Sequence, residues 1–309
     1  MDQILTVRGP IPAGRFGKAL PHEHVMVDFI GADQTGKHRY DPDDVCRVML
    51  PYLKEAREQS WTGFVDCTPA FIGRDPEVLR RLSEAADLHI LTNTGYYKEP
   101  YLPPHAFTDS VDALADRWVR EYETGIDGTG IRPGFIKIAV NPGPLVPIQQ
   151  KIVRAAARAH RRTGLTAASH TVAGAAALEE LDLAAAEGMD PSRFIVVHAD
   201  GEPDRTFHRE IARRGGWVEF DGVGSRPIEE HVEMILVFLE QCGPDRLLLS
   251  HDAGWYWIGE PGGGRQRSFT TLAGELLPTL RSRGVSDAML HQLVVENPAR
   301  AFSIADVMM

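Results

Sequence analysis

Eight short apolar runs, each followed by a longer segment of helical character, limit what this chain can fold into more than any other feature. The runs fall at 18–27, 61–67, 88–95, 133–140, 165–170, 193–199, 216–221 and 246–252. Most are rich in Val, Ile, Leu or Phe without strict alternation, as expected of parallel strands covered on both faces. Helices are predicted from Asp41-Pro42 and Asp75-Pro76 onward, and over 109–123, 147–162, 174–187, 204–214, 227–241 and 268–283. Proline suits the first helical turn, so an Asp-Pro pair marks a helix start. A βα unit repeated eight times closes most economically as a (β/α)8 TIM barrel of the α/β class. The chain has 309 residues, the size of one such barrel. No Ser- or Gly-rich linker divides it, so a single domain over 1–309 is expected. Gly262-Gly263-Gly264 falls inside the last βα loop. No GxGxxG follows the first run, which leaves an open dinucleotide-binding sheet without its usual support.

A barrel gathers the C-terminal ends of its strands at one mouth, where active sites of this architecture are built. Run one carries His22-Glu23-His24. In an extended strand, residues i and i+2 share a face, roughly 6–7 Å apart. Two imidazoles so placed converge on one divalent cation; alternatively they are two solvated histidines on a surface strand. Runs five, six and eight end in His170, His198 and Asp252, which a barrel would bring beside the first pair.

Run four supplies Lys137, within the otherwise apolar Phe135-Ile136-Lys137-Ile138-Ala139-Val140. A buried, unpaired ammonium is costly. One solution is for the side chain to snorkel to water. Another is a neutral amine that adds carbon dioxide, giving a carbamate whose two oxygens bridge two cations about 3.5–4 Å apart.

Taken together, these residues resemble the phosphotriesterase family of the amidohydrolase superfamily, near its phosphotriesterase-related and lactonase branches. The resemblance rests on Thr6-Val7-Arg8-Gly9-Pro10, His22-Glu23-His24, Lys137, His170, His198, Ser250-His251-Asp252 and Glu296-Asn297-Pro298-Ala299-Arg300-Ala301-Phe302, and spans about 4–303. It implies that His22, His24 and Asp252 hold a more buried metal. His170 and His198 would hold a more exposed one, with carboxylated Lys137 and a hydroxide bridging the two. Zinc suits these ligands, and Mn, Co or Fe are compatible. Pro21 stands where the family often has Met. Some relatives carry Glu in place of the strand-four Lys, whereas here Lys is present.

The implied chemistry is metal-assisted hydrolysis by a hydroxide that metal coordination makes available near neutral pH. Asp252 either accepts the nucleophile's proton or is a ligand alone. By similarity to the lactonases, Tyr97 contacts the hydroxide or orients a substrate carbonyl, or else packs under its loop. The last loop holds Trp255, Tyr256 and Trp257, an apolar wall for the substrate or a dimer contact. Arg226, Arg265 and Arg267 could reach an anionic substrate group, or are ordinary surface arginines. The loop after run seven is short, which disfavours long acyl lactones. His251 is expected to face away from Asp252, and His38, His89, His105, His160, His208, His231 and His291 to lie in loops or helices, mostly solvated.

The expected function is therefore hydrolysis of lactones or carboxylic esters, with side activity on organophosphate triesters. The alternatives are a dedicated phosphotriester hydrolase, an amide hydrolase, a metal-dependent nuclease on the same barrel, or a non-catalytic barrel that binds a small molecule. A formal charge of −10 argues against nucleic acid as a partner. Three dispersed cysteines without a CxxC pair suggest reduced thiols. The start of the chain lacks signal-peptide character, and no run approaches a membrane span, so a cytoplasmic location is expected. The family resemblance implies a homodimer.

Overall fold

The computed structural model describes residues 2–304. Its eight barrel strands are β1 (Ala19–Val27), β2 (Gly63–Asp66), β3 (His89–Leu91, resumed at Asn93–Thr94), β4 (Phe135–Ala139), β5 (Ala167–His170), β6 (Phe194–Val197), β7 (Trp217–Phe220) and β8 (Leu247–Leu249). All neighbouring pairs that form ladders are parallel. At Thr92 the ring changes partner: His89–Leu91 pairs with β2, and Asn93–Thr94 with β4. Between β8 and β1 the ring closes through the strand ends, where Asp252 N–H donates to His22 O at 3.2 Å and His24 N–H to Ala253 O at 2.9 Å. The expected TIM barrel is therefore the observed fold.

Both faces of each strand are covered, which is why the runs read as continuous apolar stretches. Alternate residues go to two different cores. Val65, Leu91, Phe135, Ala168, Ile195, Trp217 and Leu248 fill the barrel interior with Phe16 and Phe302. Phe64, Ile90, Ile136, Phe194, Val218 and Leu247 pack outward against the helices. Phe135 points inward and Ile136 outward, so Lys137 points inward too.

The helices follow in order: α1 (Pro42–Glu58), α2 (Pro76–Ala86), α3 (Val111–Thr124), α4 (Pro147–Thr163), α5 (Gly174–Ala186), α6 (Arg205–Arg213), α7 (Ile228–Cys242) and α8 (Leu277–Ser282, after a π turn at Leu272–Leu276). Asp41 caps α1 by accepting from Asp43 N–H, and Asp75 caps α2 by accepting from Glu77 and Val78 N–H. In α1 the buried Val45, Met49, Leu53 and Ala56 form one stripe facing the barrel.

Three features depart from the sequence-based expectations. The segment after β8, read as loop, forms strand β9 (Gly254–Trp257), paired in parallel with β1. An antiparallel hairpin, Gln3–Thr6 with Gly9–Pro12, precedes the barrel, and Gln3 bridges to Ile304 near the other end. His89 begins β3, and His208 and His231 are buried, so the expectation of solvated loop and helix histidines fails for these three. No helix among the described residues is long and apolar enough to cross a membrane.

Candidate metal centre

One irregularity aims the first pair of histidines. Between β1 and β2 the register runs Leu20↔Phe64 and then Glu23↔Asp66, so β1 carries one extra residue at Pro21-His22. Ala19 points into the barrel and Leu20 out. Without the bulge, His22 and His24 would follow Leu20 outward; with it, both point inward. Pro21 sits where the ladder is already interrupted, one of the few places a strand tolerates proline. The two rings lie 5.4 Å apart between centroids, and both residues are buried.

The other expected ligands arrive from the facing strand ends. Asp252 Oδ1 lies 3.1 Å from His24 Nε2 and 3.6 Å from His22 Nε2. These three donors lie within 4.8 Å of one another. His198 would face outward by alternation after Val197, but its φ of 60° turns the ring inward to 5.1 Å from that of His22. A second cluster on the same scale is His22, His198 and Asp221. The His170 ring is 4.4 Å from that of His198. Its nitrogens meet Tyr97 Oη at 3.1 Å and Lys98 Nζ at 2.9 Å, and it belongs to neither cluster.

Lys137 is 2% exposed, and among the described residues its Nζ has no hydrogen-bond partner. Snorkelling is thereby excluded. The surroundings are acidic: Glu219 on β7 and Asp221 just past its end are each 1% exposed and project inward. Burial and the neighbouring Asp221 push the Glu219 carboxyl well above its usual range. Burial, reinforced by Lys137, holds His22 well below the ordinary histidine value, and burial with His198 does the same to His170. Burial opposes protonation of His198, but Asp221 outweighs it and raises the pKa. For Asp252, burial is outweighed by His24, and the carboxyl is lowered.

Three of the imidazoles are oriented through Nδ1. His24 Nδ1 meets Thr68 Oγ1 at 2.7 Å, and that hydroxyl donates onward to Met26 O, so Nδ1 carries the proton. His198 Nδ1 lies 2.7 Å from Asp221 Oδ1, and His22 Nδ1 lies 3.1 Å from Glu219 Oε2. A proton held on Nδ1 leaves Nε2 its lone pair, as cation binding requires. Glu23, between the two ligand histidines, faces the opposite way. Its Oε1 accepts from Ser250 Oγ and His251 Nδ1, and its Oε2 from Ala253 N–H, which fastens the loop bearing Asp252 to β1. His251 accordingly points away from Asp252.

Converging imidazoles, buried carboxylates and a buried lysine form a donor set that fits divalent cations. Glu219 and Asp221 were missed in the sequence. The available signal was their i, i+2 spacing in the apolar Trp217-Val218-Glu219-Phe220-Asp221, the same spacing as His22 and His24.

Above the donors stands an aromatic wall. Trp255 lies 4.1 Å from the His24 ring and stacks on Trp257 at 5.6 Å. Phe29 contacts Tyr97, Tyr101, Trp255 and Trp257. Phe29 and Tyr101 were not singled out in the sequence. Burial, then the Asp252 charge, raise the Tyr97 phenol above its ordinary value, so it is a neutral hydroxyl.

Tyr256 corrects one expectation. It alternates away from Trp255 and Trp257 along β9, is buried, and donates to Asp44 Oδ2 at 2.6 Å. Arg267 is engaged with the backbone, donating to Asp252 O and Val223 O. Arg265 and Arg226 are exposed side chains of their loops.

Comparison with known proteins agrees with this geometry. The phosphotriesterase family profile matches residues 2–302. A phosphotriesterase homology protein of Mycobacterium tuberculosis is 30% identical, covering 98% of each chain. The solved organophosphorus hydrolase of Deinococcus radiodurans superposes with a TM-score of 0.86 at 32% identity, over 97% of this chain and 96% of that one. A further solved structure, of organophosphate hydrolysis activity engineered from a weak promiscuous lactonase template, superposes with a TM-score of 0.88 at 32% identity, over 97% of this chain and 99% of that one.

Proposed function

The chain belongs to the phosphotriesterase family, and from that premise we propose that it is a binuclear metal hydrolase of lactones or carboxylic esters with side activity on organophosphate triesters. The convergence of His22, His24 and Asp252 in one donor cluster, with the His198 and His170 rings beside it and Lys137 buried among them, carries this reading.

His22, His24 and Asp252 would hold one cation, and His170 and His198 the other. Lys137 would serve both cations as the carbamate formed when its ammonium loses a proton and the neutral amine adds carbon dioxide with loss of a second, an anionic ligand in place of a costly buried ammonium. Zinc best suits the imidazole and carboxylate donors. Two divalent ions here would supply a water acidic enough to attack near neutral pH and would polarise the scissile bond. Asp252 accepts the attacking water's proton at its carboxylate. That side chain is 28% exposed, so the proton can leave by the mouth. Tyr97, neutral and close to His170, donates its hydroxyl hydrogen bond to the substrate oxygen. Trp255, Trp257 and Phe29 hold the apolar part of the substrate and keep bulk water from it.

Two observations disfavour lactones with long acyl chains. The wall is aromatic and compact, and the loop after β7 is short. The test is a panel of lactones, aryl esters, phosphotriesters and N-acyl amino acids, assayed with the metal-loaded protein. Turnover of lactones or esters well above the rest supports the proposal. Turnover of amides alone, with esters untouched, overturns it.

A further inference from the structure

A cavity of about 380 Å³ lies at the N-terminal turns of α6 and α7, lined by Arg205, Arg226, His231 and the glutamates 229, 230 and 233. His231 is 1% exposed, yet among the described residues neither Nδ1 nor Nε2 has a hydrogen-bond partner. Arg205 opens α6, and its Nη1 is likewise buried and unpartnered. Among the described residues, neither Arg205 nor Arg226 forms an ion pair, whereas Glu233 is already tied to Arg283 at 2.6 Å. The residue at the cap of α7 is Pro227, whose side chain satisfies none of the N–H groups of the first turn. Buried donors left without partners are costly, and here three kinds of donor surround one space.

We propose that this cavity binds the oxyanion end of a small molecule, a carboxylate or a phosphate, held by Arg205 Nη1, the Arg226 guanidinium and one ring nitrogen of His231. Guanidinium groups suit planar and tetrahedral oxyanions, and the N-terminal turn of a helix favours negative charge. Burial, aided by Arg226, lowers the His231 pKa to about 4, so the ring is neutral near pH 7 and offers one donor and one acceptor. A dihydrogenphosphate or a hydroxy acid, each with donor and acceptor oxygens, can meet either one. Glu229 and Glu230, exposed on the cavity wall, disfavour polyanions, so a singly charged group fits better than a polyphosphate. Arg226 belongs to the loop that Asp221 begins, just after β7 with its Glu219, so the cavity shares a loop layer with the metal centre.

The oxyanion has two possible sources, the charged end of a substrate or a free anion. The probe is inorganic phosphate, titrated into the full chain with 15N-labelled histidine, the His231 ring signals being assigned by their loss in His231→Phe. These signals should shift and saturate, and the dissociation constant should rise about tenfold or more in Arg205→Gln and in Arg226→Gln. The ring signal of His231 separates this site from any phosphate held at the metal centre. Displacement of phosphate by an ester bearing a remote carboxylate identifies the substrate end, and displacement only by free anions identifies an independent ligand; either supports the site. The ester arm rests on the hydrolase reading, while the phosphate arm does not, so the two fail separately. No phosphate-induced shift at His231, or a shift indifferent to both arginine substitutions, overturns the proposal.

Discussion

Lys137 points into the barrel because Phe135 does, two residues earlier on the same strand. An ammonium in that position has no partner to justify it, and the acids of β7 face it across the interior without reaching Nζ. Its identity as an unusual residue was readable from one lysine in an apolar run. The acids opposite left only their i, i+2 spacing, because a carboxylate in a strand looks the same whether it serves a metal or faces water. Replacing Lys137 with Ala should lower kcat/KM by more than about a hundredfold, beyond the 10–100-fold typical of residues that only steer a ligand. Bound metal should fall in parallel, and a short carboxylic acid should restore part of both. Metal analysis and kinetics with added propionate check this; full activity without rescue would exclude a bridging role. Asp221→Asn tests the orienting carboxylate. It removes the charge facing His198 Nδ1, so metal affinity should drop by about 10–100-fold while the fold persists. Unchanged metal affinity would show that Asp221 neither orients nor coordinates.

At the scale of elements, the strands and helices were legible because each is a covered parallel strand or a capped amphipathic helix, and both leave periodic marks. The exceptions were devices that break a period. The extra residue at Pro21-His22 reverses the facing of β1, and the positive φ of His198 reverses the end of β6. Simple alternation from Leu20 or Val197 would have sent these ligands outward, so the i, i+2 argument identified the pair without explaining its direction. Strand β9 was hidden for a different reason: its aromatic residues, Trp255, Tyr256 and Trp257, suit a loop wall and an edge strand equally. Helix α5 offers an element-scale test. Glu180 is fully buried, takes a hydrogen bond from Ser169 Oγ, and lies 2.5 Å from Thr171 Oγ1, thereby bracing the two neighbours of His170. Burial raises its pKa from 4.5 to about 8, with the two hydroxyls opposing the shift only in part. The folded chain therefore binds this proton more tightly than the unfolded chain. That contribution is fully present below pH 4.5 and is lost as the pH rises through about 8. The shift corresponds to roughly 5 kcal/mol at most across that window. Glu180→Gln keeps the shape and removes the titration. Its stability relative to the parent should rise by a few kcal/mol between about pH 5 and pH 8 by denaturant unfolding. Parallel stability–pH curves for the two proteins would show that Glu180 does not titrate in this range.

For the whole molecule, the two ends of the barrel divide the labour. The mouth gathers the charged and aromatic side chains, while the opposite end is closed by chain that lies outside the eightfold repeat. Ile4 of the N-terminal hairpin, Phe16, Ala301 and Phe302 complete the interior core from below. The Gln3–Ile304 bridge ties the two sequence-distant segments together, with N–H to O distances of 3.0 and 2.8 Å. This closure was not legible, because a four-residue hairpin strand such as Gln3–Thr6 carries too few residues to show a period, and its partner lies at the far end of the sequence. It has a mechanical bearing on the site. The Phe302 ring meets that of Phe135 edge-on at 5.4 Å, and Phe135 lies two residues before Lys137 on β4. Barrels of this kind separate stability from activity along their axis: residues at the lower end support the fold, and residues at the mouth do the chemistry. Phe302→Ala removes a buried ring from the lower end, and a loss of about 3–5 kcal/mol in unfolding free energy is expected. Lys137 and the histidines keep their positions as long as β4 stays paired to β5, a register that Phe302 does not set. The folded fraction should therefore retain its metal content and its kcat/KM to within about twofold, well inside the losses expected for ligand substitutions. Unfolding curves, metal analysis and assays at a temperature where the variant is still folded separate the two effects. A variant that stays folded but loses its metal would show that packing beneath Phe135 holds the centre in place, and that stability and chemistry are coupled through the length of the barrel.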